Sequence, residues 1–211
     1  MKLKVILLAA FTIVGVGAHV PATSAASSIL VAQGSSDSGY RVGDTLAPEK
    51  RARAAGYEDI LWENLLPDGW SADKMLESLN LSGLDDNDSK AKEMLVKIRQ
   101  MWDSAPANAK LDNKRVRIPG FVVPLDGERE KTREFLLVPY FGACIHAPAP
   151  PANQVIHVKV KPGTTVKVSP AAWITGTIRT VRSDTKLAMT GYEMTADNVE
   201  FYKQDDIPFS L

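Results

Sequence analysis

The sequence predicts a mainly β protein with N-terminal α-helices, in which a small antiparallel barrel of the OB-like Greek-key kind is covered by a helix. Three observations carry this prediction. From Lys114 onward, about five or six short runs with strand character follow one another within about 100 residues, joined by turn residues and with no helical period between them. Gly120 and Gly176 fall inside two of those runs, where strongly bent barrel strands need glycine. Upstream, Ala91, Met94, Leu95, Ile98, Met101 and Trp102 fall at offsets 0, 3, 4, 7, 10 and 11, which is one apolar stripe at the helical period.

Composition agrees with one globular domain. Of the 211 residues, 45% are hydrophobic and 24% are charged, which excludes a disordered or collagen-like chain. Acidic and basic residues number 25 each, so no net field argues for nucleic acid or an anionic membrane as partner.

Residues 1–26 read as a signal peptide. Lys2 and Lys4 precede a nearly all-apolar run from Val5 to Ala18, and Thr23, Ser24, Ala25 and Ala26 offer a cleavage site. That run, of about 14 residues, is shorter than the roughly 20 that a spanning helix needs. No cysteine lies near the cleavage site to carry a lipid, so the expected product is periplasmic, with no stable membrane anchor. Residues 27–56 carry GSSDSG at Gly34 to Gly39 and little periodicity, which predicts a flexible lead-in.

Residues 57–110 are expected to form a helical segment packing on the barrel. The run YEDILWENLLPDGW, Tyr57 to Trp70, sets two tryptophans and several aliphatics around a Pro67-Asp68-Gly69 turn. It reads either as packing onto the main domain or as a partner-binding peptide. Ser71 can cap a short helix through about Leu79. The striped helix starts at Asp88 or Ser89, stops before Pro106, and is expected to cover an open side of the sheet.

Residues 111–211 are the expected barrel domain. Arg115 to Ile118 alternates, Pro119-Gly120 breaks or bulges the run, and Phe121 to Pro124 resumes it before the Asp126-Gly127 turn. Glu134 to Val138, Val155 to Val160, Val166 to Val168, Trp173 to Ile178, Gly191 to Met194 and Val199 to Tyr202 are the further strand candidates.

The chemistry concentrates in Phe135 to Val160, which holds the sole cysteine, Cys144, and two of the three histidines, His146 and His157. An exported protein with one cysteine has no internal disulfide to make, so Cys144 is buried, metal-bound, paired with another molecule, or reactive. On an extended backbone Cys144 and His146 face the same way, and with His157 they are suitable zinc or copper ligands, with Asp126 or Glu134 to complete a set. The same thiol, with Asn153 and with His157 on the polar face of its strand beside Lys159, supplies the residue types of a Cys-His-Asn hydrolase. The third reading is structural. Gly142-Ala143 allow close backbone approach, Pro148, Pro150 and Pro151 hold an extended path, and the Asn153 and Gln154 amides satisfy loop backbone groups. A stiff proline loop beside Tyr140 and Phe141 is also a docking surface that loses little entropy on binding.

The phrases RIPGFVVPLD, Arg117 to Asp126, and FLLVPYFGACIHAPAPPANQ, Phe135 to Gln154, resemble the signature of an uncharacterised family of exported bacterial proteins, FLLVPYxGACIHxPPPxNQ. Ala149 departs from that signature and is expected to loosen the proline segment slightly. The resemblance implies a periplasmic or lipid-anchored accessory protein, often encoded beside ABC-type transport systems, some of them tied to zinc supply. It implies no activity. The expected function is therefore a periplasmic, non-enzymatic accessory or binding protein that serves an ABC-type transporter component or another periplasmic protein. Its expected binding surface is Tyr140, Phe141, Cys144, His146, Pro148, Pro150, Pro151, Asn153 and Gln154. The alternative is a metal-binding or thiol-dependent protein using Cys144, His146 and His157, with zinc as the cofactor.

Overall fold

A computed structural model describes residues 39–46, 54–77, 79, 89–125, 131–163, 165–167 and 169–201. The signal peptide, the Asp126-Gly127 turn, Val168 and Tyr202 lie outside the described residues. In chain order the strands are β1 (Glu58–Asp59), β2 (Lys114–Pro124), β3 (Lys131–Thr132), β4 (Glu134–Val138), β5 (Ile156–Val160), β6 (Val166–Lys167), β7 (Ala171–Arg179), β8 (Ser183–Asp184), β9 (Met189–Thr190) and β10 (Tyr192–Phe201). The helices are α1 (Ala72–Glu77) and α2 (Ser89–Asp103), with single 3-10 turns at Trp62–Leu65, Ala109–Leu111 and Ala152–Gln154.

Five strands close into a barrel in the order β2-β4-β5-β10-β7, with β7 pairing back onto β2. The barrel is mixed rather than wholly antiparallel, because β5 and β10 run parallel from Tyr192↔Ile156 to Ala196↔Val160. Period-2 alternation builds the interior. Val116, Ile118 and Val122 of β2, Phe135 and Leu137 of β4, Ile156 and Val158 of β5, Ile174 and Ile178 of β7, and Tyr192 and Met194 of β10 form one buried cluster. The intervening residues Phe121, Val123, Leu136 and Val138 belong to a second cluster on the outer side.

Two expected breaks are absent. Pro119-Gly120 do not interrupt β2, which runs through them pairing Pro119 with Trp173 and Gly120 with Ala172. The strand then trades partners at Phe121, which also faces Val138 of β4. The two expected C-terminal strands are one, β10, with a bulge between Ala196 and Asn198. Both mid-strand glycines are needed for close approach. A Cβ at Gly176 would lie 2.3 Å from the Thr195 carbonyl oxygen, and one at Gly120 would lie 2.6 Å from Leu137 Cγ and 2.8 Å from Trp62 Cζ2.

Trp62 explains how the upstream segment attaches. β1 takes the edge of β2 opposite Val116 and Arg117, the first half of the strand, while β4 pairs only with the second half. Trp62 follows β1, packs against the barrel cluster, and donates its indole N–H to the Pro119 carbonyl at 2.8 Å. Leu65 is fully buried three residues later. The Tyr192 hydroxyl donates to the Leu65 carbonyl at 2.5 Å and accepts the Asn108 N–H at 2.6 Å, tying the barrel interior to both ends of the upstream segment. Burial pushes the Tyr192 phenol up to about 12, so it stays protonated and can donate.

The helices form where the pattern places them, but α2 is a poor cover. Ser71 Oγ accepts the Lys74 N–H at the start of α1, and α2 ends before Pro106. None of Lys90 to Asp103 is buried, and Leu95 of the apolar stripe is 65% exposed. The Trp62–Leu65 turn, rather than α2, supplies buried apolar groups to the barrel.

Part of the expected flexible lead-in is packed. Tyr40 is buried, its ring edge-on to Phe121 at 5.0 Å and stacked on Phe141 at 5.7 Å. The Gly43 N–H donates to the Phe141 carbonyl and the Phe141 N–H to the Asp44 carbonyl, each at 2.9 Å. Asp44 folds its carboxylate back onto the Arg41 N–H at 2.7 Å, a turn that nothing in the hydrophobic pattern announces.

Candidate functional site

The loop that connects β4 to β5 carries the candidate residues other than His157, Glu134 and Asp126. Its first half is a tight turn rather than an extended strand. The Ile145, His146 and Ala147 N–H groups all converge on the Gly142 carbonyl, at 3.2, 2.8 and 2.9 Å. Gly142 has φ 85°, and Cys144 is itself left-handed at φ 66°. The expectation that Cys144 and His146 share a face of an extended backbone therefore fails, because the chain coils between them. Ala143 is fully buried, Cys144 is half-buried against the outer cluster, and His146 is exposed. Ile145, which the residue pattern did not single out, is 61% exposed.

The proline segment lies closer to the barrel than its composition suggests. Pro148 is exposed, its carbonyl accepting the Tyr140 hydroxyl at 3.3 Å, whereas Pro150 is buried and Pro151 half-buried. Ala149 is packed against the barrel. Its methyl is buried in the outer cluster with Phe121, Leu136 and Val155.

The second half of the loop is a latch. Asn153, with no exposed surface, donates its side-chain N–H to the Pro106 carbonyl at 3.1 Å. The Gln154 side chain donates at 3.0 Å to the Trp62 carbonyl and at 3.0 Å to the Asn153 carbonyl. The amides were expected to satisfy backbone groups of the loop; only the Asn153 carbonyl is one, and the other two acceptors lie 92 and 47 residues away in sequence. Asn153 and Gln154 hold the upstream segment on the barrel, which fits them for folding rather than for direct ligand contact.

His157 is separate from the thiol turn. It points outward from β5 but is 8% exposed rather than on an open polar face, and its Nε2 lies 3.0 Å from Glu134 Oε2. Alongside, Lys159 Nζ meets Glu193 Oε2 at 2.6 Å. That hydrogen bond holds the Glu193 carboxyl below its ordinary range against the opposing effect of burial. Glu134 thus serves as the partner of His157. Asp126, the other candidate ligand, lies outside the described residues. Among the described residues no group of three or more His, Cys, Asp and Glu side chains is placed to hold a metal ion.

The thiol is not activated. Burial pushes Cys144 up to about 11, and the only opposing influence is the more distant Arg99 charge on α2. At pH 7 that leaves roughly one thiolate in ten thousand. Tyr140 is raised as well, by burial first and by Cys144 second. Residue types had suggested that a histidine beside the thiol would lower its pKa; neither histidine acts on it in the structure.

What residue-type reasoning missed is the lead-in. Tyr40, Val42 and Asp44 pack against Phe141 and Gly142, two residues of the loop that reads as a docking surface. The available signal was local, an aromatic followed by a glycine and a turn-forming aspartate in GYRVGDT.

No match was found among curated proteins. Among solved structures the chain is similar to a DUF3299 family protein from Pseudomonas aeruginosa PAO1, with 30% sequence identity, 70% of this chain and 97% of that chain covered, and a TM-score of 0.51. A family model described as "Protein of unknown function (DUF3299)" matches residues 62–201, from the Trp62 plug to the last residue of β10. With two-thirds of its length matched and the whole barrel included, the chain belongs to the DUF3299 family.

Proposed function

We propose that the chain is a periplasmic, non-enzymatic accessory or binding protein whose docking surface is the exposed first half of the loop from Tyr140 to Pro148. One observation carries the proposal. Ile145, His146 and Pro148 stand exposed on a turn whose backbone is already fixed, by three N–H groups on the Gly142 carbonyl before them and by the Asn153 and Gln154 latches after them. A partner that reads such a surface orders little chain on binding, so more of the contact energy appears as affinity. The weakly acidic thiol favours binding over nucleophilic catalysis at the same place.

The barrel is read as OB-type. In its support, β7 returns to lie beside β2 after the β2-β4-β5 succession, a Greek-key order, and β10 closes the circuit with a parallel contact to β5. Barrels of that kind bind through their loops as well as their faces, so the fold suits a docking role without specifying a ligand. Export rests on the Lys2 to Ala26 pattern, and service to an ABC-type transport system rests on the sequence resemblance.

The test is capture from periplasmic extract by the full chain, compared with Pro148→Ala and His146→Ala. The proposal expects a transport component to be recovered by the wild type and lost with these variants. Recovery unchanged by both replacements would remove this surface. Zinc and copper titration of the same three proteins checks the alternative. Binding by the wild type that disappears with His146→Ala would move the assignment to a metal site.

A further inference from the structure

Residues 40–45 pack on the chain as a peptide ligand would. They make main-chain bonds to Phe141 in both directions and a bridge between Thr45 and Tyr140, a short antiparallel strand addition. One ring anchors them, since Tyr40 packs edge-on to Phe121 and stacks on Phe141. Phe121 and Phe141 are themselves 5.7 Å apart and edge-on, so the aromatic slot is built from β2 and the loop without help from the lead-in. Val42 lies over Gly142, where a Cβ would come within 3.1 Å of its methyls, so the glycine makes room for the visiting side chain.

We propose that this slot is a strand-addition site for an extended, aromatic-anchored segment of a partner protein, and that residues 40–45 are its intramolecular occupant, displaced when the partner binds. The proposal rests on the reading of the Tyr140–Pro148 loop as the docking surface, and names the chemistry of what docks there. Main-chain pairing gives such a site affinity with little sequence demand, and the ring slot gives it selectivity for tyrosine or phenylalanine. The tethered segment acts as a competitor at high effective concentration, so free peptide sees the slot only when the segment is weakened.

The experiment uses the full chain and a fluorescent synthetic peptide with the sequence of residues 38–47, SGYRVGDTLA. The competitor is weakened by Tyr40→Ala with Gly43→Pro, which removes the ring and the N–H that reaches Phe141. The peptide is expected to bind this variant about tenfold or more tighter than the wild type, and to lose that binding when its own tyrosine is alanine. No binding to the folded variant, or equal binding to both proteins, overturns the proposal. So does a concentration-dependent dimer of the wild type that Tyr40→Ala abolishes, since the slot would then belong to a second copy.

If the variant melts with the barrel, amide exchange on the wild type decides. The Gly43 and Phe141 amides are expected to exchange together by local opening, well ahead of barrel amides such as Val158. Protection equal to that of the barrel overturns the idea. Failure of these tests while capture still depends on Pro148 and His146 would remove the strand-addition site and leave the docking loop in place.

Discussion

The two halves of one loop, joined within a single sequence phrase, behave differently. From Ala152 to Val155 the chain is buried but for half-buried Gln154, and its side-chain amides close on carbonyls at Trp62 and Pro106. From Tyr140 to Pro148 the chain coils on its own Gly142 carbonyl and leaves Ile145, His146 and Pro148 in solvent. The difference teaches that a concentrated motif need not be one site. Half of it holds the upstream segment on the barrel, and that fixed frame presents the other half.

The contrast is broken most directly at the latch. Asn153→Ala with Gln154→Ala removes both side-chain bonds to the upstream segment, one to exposed Pro106 and one to half-buried Trp62, and is expected to cost about 1–3 kcal/mol in urea unfolding. Loss below about 0.5 kcal/mol would mean that these amides are incidental.

Tyr192→Phe removes the hydroxyl that serves Leu65 and Asn108 at the same junction while leaving the ring in the barrel. We expect a loss of about 1–2 kcal/mol, read in the same assay. A neutral result would show the upstream segment to be held by packing alone.

On the exposed half the thiol is expected to be slow. Iodoacetamide should modify Cys144 more slowly than a small free thiol at pH 7, with the rate still climbing as pH rises past the ordinary thiol value of 9 toward about 11. The sign follows from burial favouring the neutral form, so the folded thiol ionises later than an unfolded one. A rate that levels off near neutral pH would restore the activated-nucleophile reading.

Much of this fold was legible in the sequence, for identifiable reasons. Alternation marked the start of β2 and β5, where apolar residues recur every second position because one face is barrel core, and a short apolar run marked β4. Gly120 and Gly176 read as bend positions in the sequence, whereas the structure uses them for close approach. Pro119-Gly120 misled, because a proline normally interrupts pairing, whereas here β2 passes through it while changing partners. The parallel β5–β10 contact was hidden, since pairing direction leaves no mark on the periodicity of either strand. At the candidate site, residue types pointed to the β4–β5 loop and to hydrogen-bonding amides at Asn153 and Gln154, but not to their partners at Pro106 and Trp62. They misjudged Cys144 and His146, because two-residue spacing implies a shared face only on an extended chain, and three N–H groups on one carbonyl make this a turn. His157, grouped by residue type with the thiol, is instead held by Glu134 and covered by the neighbouring strands. The lead-in stayed invisible because a single tyrosine ring and main-chain bonds, with no apolar stripe, hold it down.

The measurement closest to the central claim is Ile145→Arg in the full chain, followed by two readouts on the same sample. With Ile145 in solvent, unfolding free energy is expected to stay within about 0.5 kcal/mol of the wild type, while capture of the proposed partner from periplasmic extract falls by about tenfold or more. Unchanged capture by an equally stable Ile145→Arg protein would contradict the assignment of this half of the loop as the docking surface.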